Sequence, residues 1–190
     1  VYFNYPTTAE TKEIQNFEER SSQMLQSLMQ DSQLLTVIET HKGLNGQISD
    51  DLLLDDPEYL EAILIYLQSK NTAFPARLQR LLGTKKLPAM GAKWMERLLQ
   101  GFLYDDTDSY LCDKVYREML IDQLKSQGLI EKKKVILTKS AAVEKLLTNS
   151  LGKANSIRDI VFSEYDSMGS SLRLLILTDY IRKEYEKAIG

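Results

Sequence analysis

DPEYLEAILIYLQS, residues 56–69, is the stretch on which the fold class turns. Proline stands one place after Asp56, at a first helical position where a missing N–H costs nothing. Behind it, Tyr59, Leu60, Ile63, Leu64 and Leu67 recur at the spacing that lines one helical face. The segment reads as a helix with a core-facing side.

The same period continues upstream. From Glu10 to about Glu39, Ile14, Phe17, Met24, Leu25, Leu28, Leu34, Leu35, Val37 and Ile38 predict one long amphipathic helix or two in succession, with the break at Asp31-Ser32. Thr7 or Thr8 can cap its start, where Glu10 and Glu13 suit the positive end. Residues 1–5, VYFNY, read as a short strand stopped by Pro6. HKGLNGQISDD, residues 41–51, holds two glycines and several turn formers and reads as a loop.

Downstream, Phe74 to Leu82 predicts a short helix ended by Gly83. After Leu87-Pro88 comes an apolar stripe of Trp94, Met95, Leu98, Leu99 and Phe102, with Trp94 expected in the core rather than as a base-stacking platform. DDTDSY, residues 105–110, lacks the glycine and closing glutamate of a calcium loop and reads as an acidic turn capping the next helix. That helix is expected over Leu111–Gln127, with Leu111, Val115, Met119, Leu120 and Leu124 on one face and Gly128 as its cap. A strand over 134–138 follows, so 111–150 has the order of a winged-helix-like element. A helix from Ser140, another over 156–169 with Ile157, Ile160, Val161 and Tyr165 on one side, and a strand over 172–177 complete the reading. The expected fold is mainly α: a multi-helix domain with a few short strands.

Bulk composition narrows the function. The chain has 190 residues and a net charge of −3, so it is no general polyanion binder, and contact with nucleic acid requires a local basic patch. One cysteine, Cys112, allows no internal disulfide, and one histidine, His41, has no Cys or second His to share a zinc ion with. No apolar run approaches the ~18 residues of a membrane span. The start, VYFNYP, is no signal peptide and has no initiating Met, so the expectation is a cytoplasmic chain cut from something longer.

Catalytic motifs are missing. Leu151-Gly152-Lys153-Ala154 and Leu82-Gly83-Thr84-Lys85 come nearest to a phosphate-binding loop, but neither has the spaced upstream glycine, and the first has no hydroxyl after its lysine. His41 reads as an exposed loop residue without a role. Two basic groups are candidate nucleic-acid contacts: Lys132, Lys133 and Lys134, and the region of Arg77, Arg80, Lys85, Lys86 and Lys93. Each has a plainer alternative, a solvated turn beside Glu131 for the first and a charged outer helix face for the second.

SIRDIVFSEYDSMGSSLRLLILTDYIRKE, residues 156–184, resembles a segment of large bacterial helicases of superfamily 2, the DEAD/DEAH-box type. The matching residues are Ser156, Ile157, Ile160 and Val161, then Leu172, Arg173, Ile176, Leu177, Thr178, Asp179, Tyr180, Ile181 and Arg182. VYFNYPT similarly resembles the segment after the first motor lobe. The resemblance implies a helical insertion between two RecA-like lobes of an ATP-dependent helicase or translocase. Residues 1–110 would then follow the first lobe, and 151–190 would lead into the second. ATP and magnesium would belong to the parent protein, with no ATP-site residue in this chain. Its partners would be nucleic acid, DNA before RNA, and the flanking lobes. The alternative is a free-standing helical module that binds nucleic acid or protein.

Overall fold

The computed structural model describes residues 8–84, 86–111, 114–139 and 151–176, and side chains from residue 156 in the last of these ranges. The chain divides into two compact units, one of residues 16–139 and the other of residues 1–15 with 140–190. The fold is mainly helical, with a single two-stranded antiparallel sheet among the described residues. None of the described helices is long and apolar enough to cross a membrane.

In the larger unit, the helices are α1 (Thr8–Gln30, from Asn16 on), α2 (Ser32–Glu39), α3 (Asp50–Leu54), α4 (Pro57–Ser69), α5 (Ala76–Leu81), α6 (Ala92–Gln100) and α7 (Lys114–Ser126). The break between α1 and α2 falls at Asp31, as the sequence predicts. Its carboxylate accepts from the N–H groups of Gln33 and Leu34, and such a cap contributes about 1 kcal/mol. Its other oxygen accepts from the Tyr116 hydroxyl at 2.6 Å, which ties α7 to this junction.

Helix α4 is the axis of the core. Asp56 caps it by accepting from Tyr59 N–H, and Pro57 occupies the first turn. The sequence gives it one apolar face, but Tyr59, Leu60 and all of residues 62–67 are buried. A helix apolar all round must be surrounded. Helices α2, α3 and α6 pack against it, α6 most extensively. Trp94 is half-buried on the core cluster of Leu53, Leu60, Leu64, Ile65, Leu78 and Leu87, as expected of a packing residue.

Helix α6 continues into one π-helical turn, Gly101–Asp105, closed by Asp106 N–H donating to Gly101 C=O at 2.8 Å. The wider turn is where DDTDSY begins. The Asp105 carboxylate turns back to Arg97 and Gln100 of α6 and that of Asp106 to His41, while residues 112 and 113, just before α7, lie outside the described residues. Helix α7 buries Tyr116, Leu120 and Leu124, whereas Leu111, Val115 and Met119 of the expected core face are exposed. The correction is one of phase. Both sets are spaced by four, and the tyrosine, with its partner at Asp31, fixes which one faces inward.

Gly128 ends α7 at φ 68, and a hairpin follows, β1 (Ile130–Glu131) paired with β2 (Lys134–Val135). The strand expected over 134–138 is thus two residues long. Ile136 donates to Leu129 C=O, and the next two N–H groups go to a side chain of α6 instead of a strand.

The smaller unit holds α8 (Leu151–Met168) and a 3-10 turn, Gly169–Ser171. Ile157, Ile160 and Val161 are half-buried, but Tyr165, expected beside them, is exposed. No strand forms over 172–176, and Leu174, Leu175 and Ile176 are exposed. An apolar run makes a strand only where a neighbouring backbone completes its ladder. Residues 1–5, the helix start at Ser140 and the end of the resemblance beyond residue 176 lie outside the described residues.

Candidate functional site

Two places in the larger unit gather polar chemistry. The first is a cleft of about 550 Å³ formed by the 41–49 loop, α3, the first turns of α4 and the segment after the π turn. His41 lies at its inner wall and is only 2% exposed. The expectation of an exposed, idle loop histidine is therefore wrong. Its Nε2 meets Asp106 Oδ2 at 3.0 Å, and its Nδ1 accepts from Gly43 N–H at 3.2 Å. The loop folds over it so tightly that a Cβ at Gly43 would come within 2.7 Å of Leu53 and 2.9 Å of the imidazole.

This geometry decides what His41 can do. A backbone N–H aimed at Nδ1 requires a lone pair there, so the proton sits on Nε2 and is donated to Asp106. A histidine acting as general base needs a free nitrogen within reach of a substrate. Both nitrogens of His41 are used inside the protein, so the imidazole braces the loop against the π turn.

The aromatic wall behind it is equally closed to acid–base work. The hydroxyls of Tyr59 and Tyr110 share a hydrogen bond, and the Tyr110 ring centroid lies 4.9 Å from that of His41 and 5.1 Å from that of Phe102. Burial pushes the Tyr59 hydroxyl well above its ordinary value, and the neighbouring Tyr110 adds to this. Burial does the same to Tyr110. Neither forms a phenolate near neutral pH. Burial alone would also push up the Asp106 carboxyl, but hydrogen bonds from His41 and Ser109 outweigh it and hold the group below its usual range.

Arg97, from α6, closes the outer edge. Its guanidinium pairs with Asp56, reaches Asp105 at 3.4 Å and stacks 5.1 Å from the Tyr59 ring. The π turn makes this possible by carrying Asp105 back toward α6 while Asp106 faces the histidine. Gly101 is required there, because a Cβ would overlap the Tyr59 ring. The sequence carried little signal for this cluster: His41 and Asp106 are 65 residues apart, and nothing in their local patterns joins them.

The second place is the hairpin. Lys132 and Lys133 form its two-residue loop with φ of 47° and 68°. Positive φ at both central positions is the type I′ geometry, for which Asn-Gly is the easy sequence. Lysines there carry backbone strain. The base of the hairpin is rigidly held. Gln100 accepts from Val135 N–H at 3.0 Å and donates to Lys133 C=O, and Glu96 accepts from the N–H groups of Leu137 and Thr138 at 2.7 and 2.9 Å. Leu129, Val135, Ile136 and Leu137 are buried, while Lys132, Lys133 and Lys134 are all exposed.

The other candidate cations do not form a comparable site. Arg77 pairs with Asp50 and donates to Gly43 C=O, so it clamps the loop above His41. Arg80 and Lys86 are exposed on and after α5. Lys85 lies outside the described residues. Lys93 pairs with Glu58 and covers the Trp94 ring. Among the described residues, no group of three or more His, Cys, Asp or Glu is placed to hold a metal ion.

These features define a mainly helical module with an acidic, apolar-floored cleft and an anchored basic hairpin. No family model, curated protein or solved structure matches the chain.

Proposed function

We propose that the chain is a helical recognition module that touches the phosphate backbone of a nucleic acid through Lys132, Lys133 and Lys134. In this reading it works as an insertion between the two motor lobes of a superfamily 2 helicase or translocase. ATP and magnesium act in the parent's lobes, and no residue of this chain is assigned to them. The observation that carries the reading is the hairpin itself: three consecutive lysines held out on a turn whose backbone is strained, over a base clamped by Glu96 and Gln100. Strain of this kind persists only where the surroundings enforce it, and it gathers at functional sites. The committed state of both His41 nitrogens favours binding over catalysis in the cleft.

Binding of fluorescent single- and double-stranded DNA and RNA oligonucleotides, followed by anisotropy over a salt series, tests it. Phosphate contacts give an affinity that falls steeply with salt, by a log–log slope of about 0.9 per contact on duplex DNA. Replacing Lys132, Lys133 and Lys134 together by alanine lowers that slope by roughly 2–3 and weakens binding to all sequences alike. An unchanged slope refutes the hairpin contact. ATP hydrolysis by this chain alone refutes the assignment of the ATP site to other parts of the parent.

A further inference from the structure

The cleft has walls of two kinds. Its floor is apolar, built from Leu53, Leu60 and Ile63, with Ile48 half-buried beside them. At the mouth Leu52 is 63% exposed, an apolar side chain left over an apolar depression. The facing rim is acidic. Asp56, Asp105, Asp106 and Asp108 line the cleft with Lys42 as the one lysine or arginine in the lining. Arg97 offsets Asp56 and Asp105 from outside. Asp106 meets the His41 ring nitrogen at 3.0 Å, and exposed Asp108 accepts a 3.4 Å bond from the Thr107 hydroxyl. The Lys42 ammonium donates to the Asp108 carbonyl at 2.7 Å and keeps its charge, so four carboxylates at the rim stand against the cations of Lys42 and Arg97. Negative charge at this rim therefore exceeds positive.

We propose that this cleft is a docking groove for a segment of a partner protein that presents a large apolar side chain next to an arginine or lysine. The apolar side chain covers Leu52 and enters above Leu53. The basic side chain crosses the rim to Asp108 and Asp106. Charge complementarity selects this occupant. A nucleic acid or an anionic lipid surface would bring phosphates against the carboxylates. A metal ion would find Asp56, Asp105 and Asp106 already held by Arg97 and His41, which leaves Asp108 alone. A purely apolar segment would cover the Asp108 carboxylate without bringing a cation to it, which is costly. The groove is also stiff: the His41 brace, the Arg77 clamp on Gly43 C=O and the Arg97 pairs fix its walls before anything binds, which lowers the ordering cost of association. This inference goes beyond the hairpin contact and does not depend on it.

Selection of a displayed library of random dodecapeptides on the full chain tests the proposal, with affinities of synthetic winners then measured by anisotropy. The expected winners carry Leu, Ile, Met or Phe within two positions of Arg or Lys. Leu52 and Asp108 are exposed, so substitutions there leave the fold intact, which circular dichroism checks. Leu52→Ser is expected to weaken binding about tenfold through lost apolar contact. Asp108→Asn is expected to weaken it about threefold and to flatten its salt dependence. The lysine-free hairpin variant is expected to bind the winners as the unaltered chain does. A selection that yields no enriched peptide, or acidic winners, overturns the proposal. So do winners that bind the Leu52→Ser, Asp108→Asn double variant undiminished, or that need the hairpin lysines. Failure of oligonucleotide binding would refute the hairpin reading and leave this one standing.

Discussion

Replacing His41 by leucine separates the two descriptions of this residue by a wide margin. An exposed loop histidine without a role would lose under about 0.5 kcal/mol on substitution. The structure gives three terms instead. Gly43 N–H, in a buried residue, loses its acceptor, and an orphaned buried donor costs about 1–3 kcal/mol. Asp106, held below its usual carboxyl range partly by His41, loses that donor; hydrogen bonds to charged groups are worth about 1.5–3 kcal/mol, at the low end here because the carboxylate is 27% exposed. Leucine restores much of the apolar contact with Tyr59 and Tyr110, which offsets part of the loss. The terms overlap, and a net destabilisation of about 3 kcal/mol is expected.

Trp94 is the only tryptophan and sits on the core cluster of the larger unit, so its emission reports on the unfolding of that unit. With a urea slope of about 2 kcal/mol/M, 3 kcal/mol lowers the midpoint by about 1.5 M. His41→Asn keeps an acceptor near Nδ1, and His41→Gln keeps a donor near Nε2. Each is expected to recover about half of the shift. A His41→Leu midpoint within about 0.3 M of the original would refute the brace, and so would equal losses in all three variants.

Further consequences can be measured with the same probe. Gly101→Ala places a methyl in the Tyr59 ring and is expected to cost about 2 kcal/mol, lowering Tm by roughly 8 °C in a thermal melt. Lys132→Asn with Lys133→Gly gives the turn its easy sequence, so stability rises by about 1 kcal/mol while the salt slope of oligonucleotide binding falls by about 2; gain in both stability and affinity would contradict the reading. Asp106 sits below the ordinary aspartate value of 3.8, so its contribution is complete above that pH and fades as pH falls through the lower folded value; Asp106→Asn is expected to flatten the acid limb of the stability profile. Tyr59 and Tyr110 sit above 10.0, so their contribution is whole below pH 10 and is lost as pH rises further; Tyr110→Phe reduces that alkaline loss, read by urea midpoints at successive pH values.

Local patterns revealed what local physics controls. The Asp31 break, the Asp56-Pro57 start and the Gly83 and Gly128 ends are each decided by a residue and its near neighbours, and each was readable. The face of α7 was not, because two apolar stripes of the same period compete and a distant acceptor, Asp31, chooses between them. The strand after residue 171 was not, because a ladder depends on another backbone. The His41 cluster was invisible for the same reason on a larger scale: its members come from the 41–49 loop, α4, α6 and the segment after the π turn, and only packing brings them together. The one local trace was Gly101, whose absent side chain makes room for Tyr59.

The hairpin lysines were legible as a charge run and as a solvated turn, but not as a strained turn clamped by α6, and the difference bears on function. A sequence consistent at every level would place asparagine and glycine at residues 132 and 133. The chain instead keeps three lysines and holds the strained turn with side chains from α6: Gln100 at Lys133 and Val135, Glu96 at Leu137 and Thr138. Four hydrogen bonds from two residues spaced one helical turn apart are more than a solvated turn requires. A turn free to relax would carry the same charge with less strain. What the clamp adds is a fixed direction for that charge, and fixed direction matters only when something of defined shape meets it. In the proposed reading that object is a phosphate backbone, with charges at regular spacing.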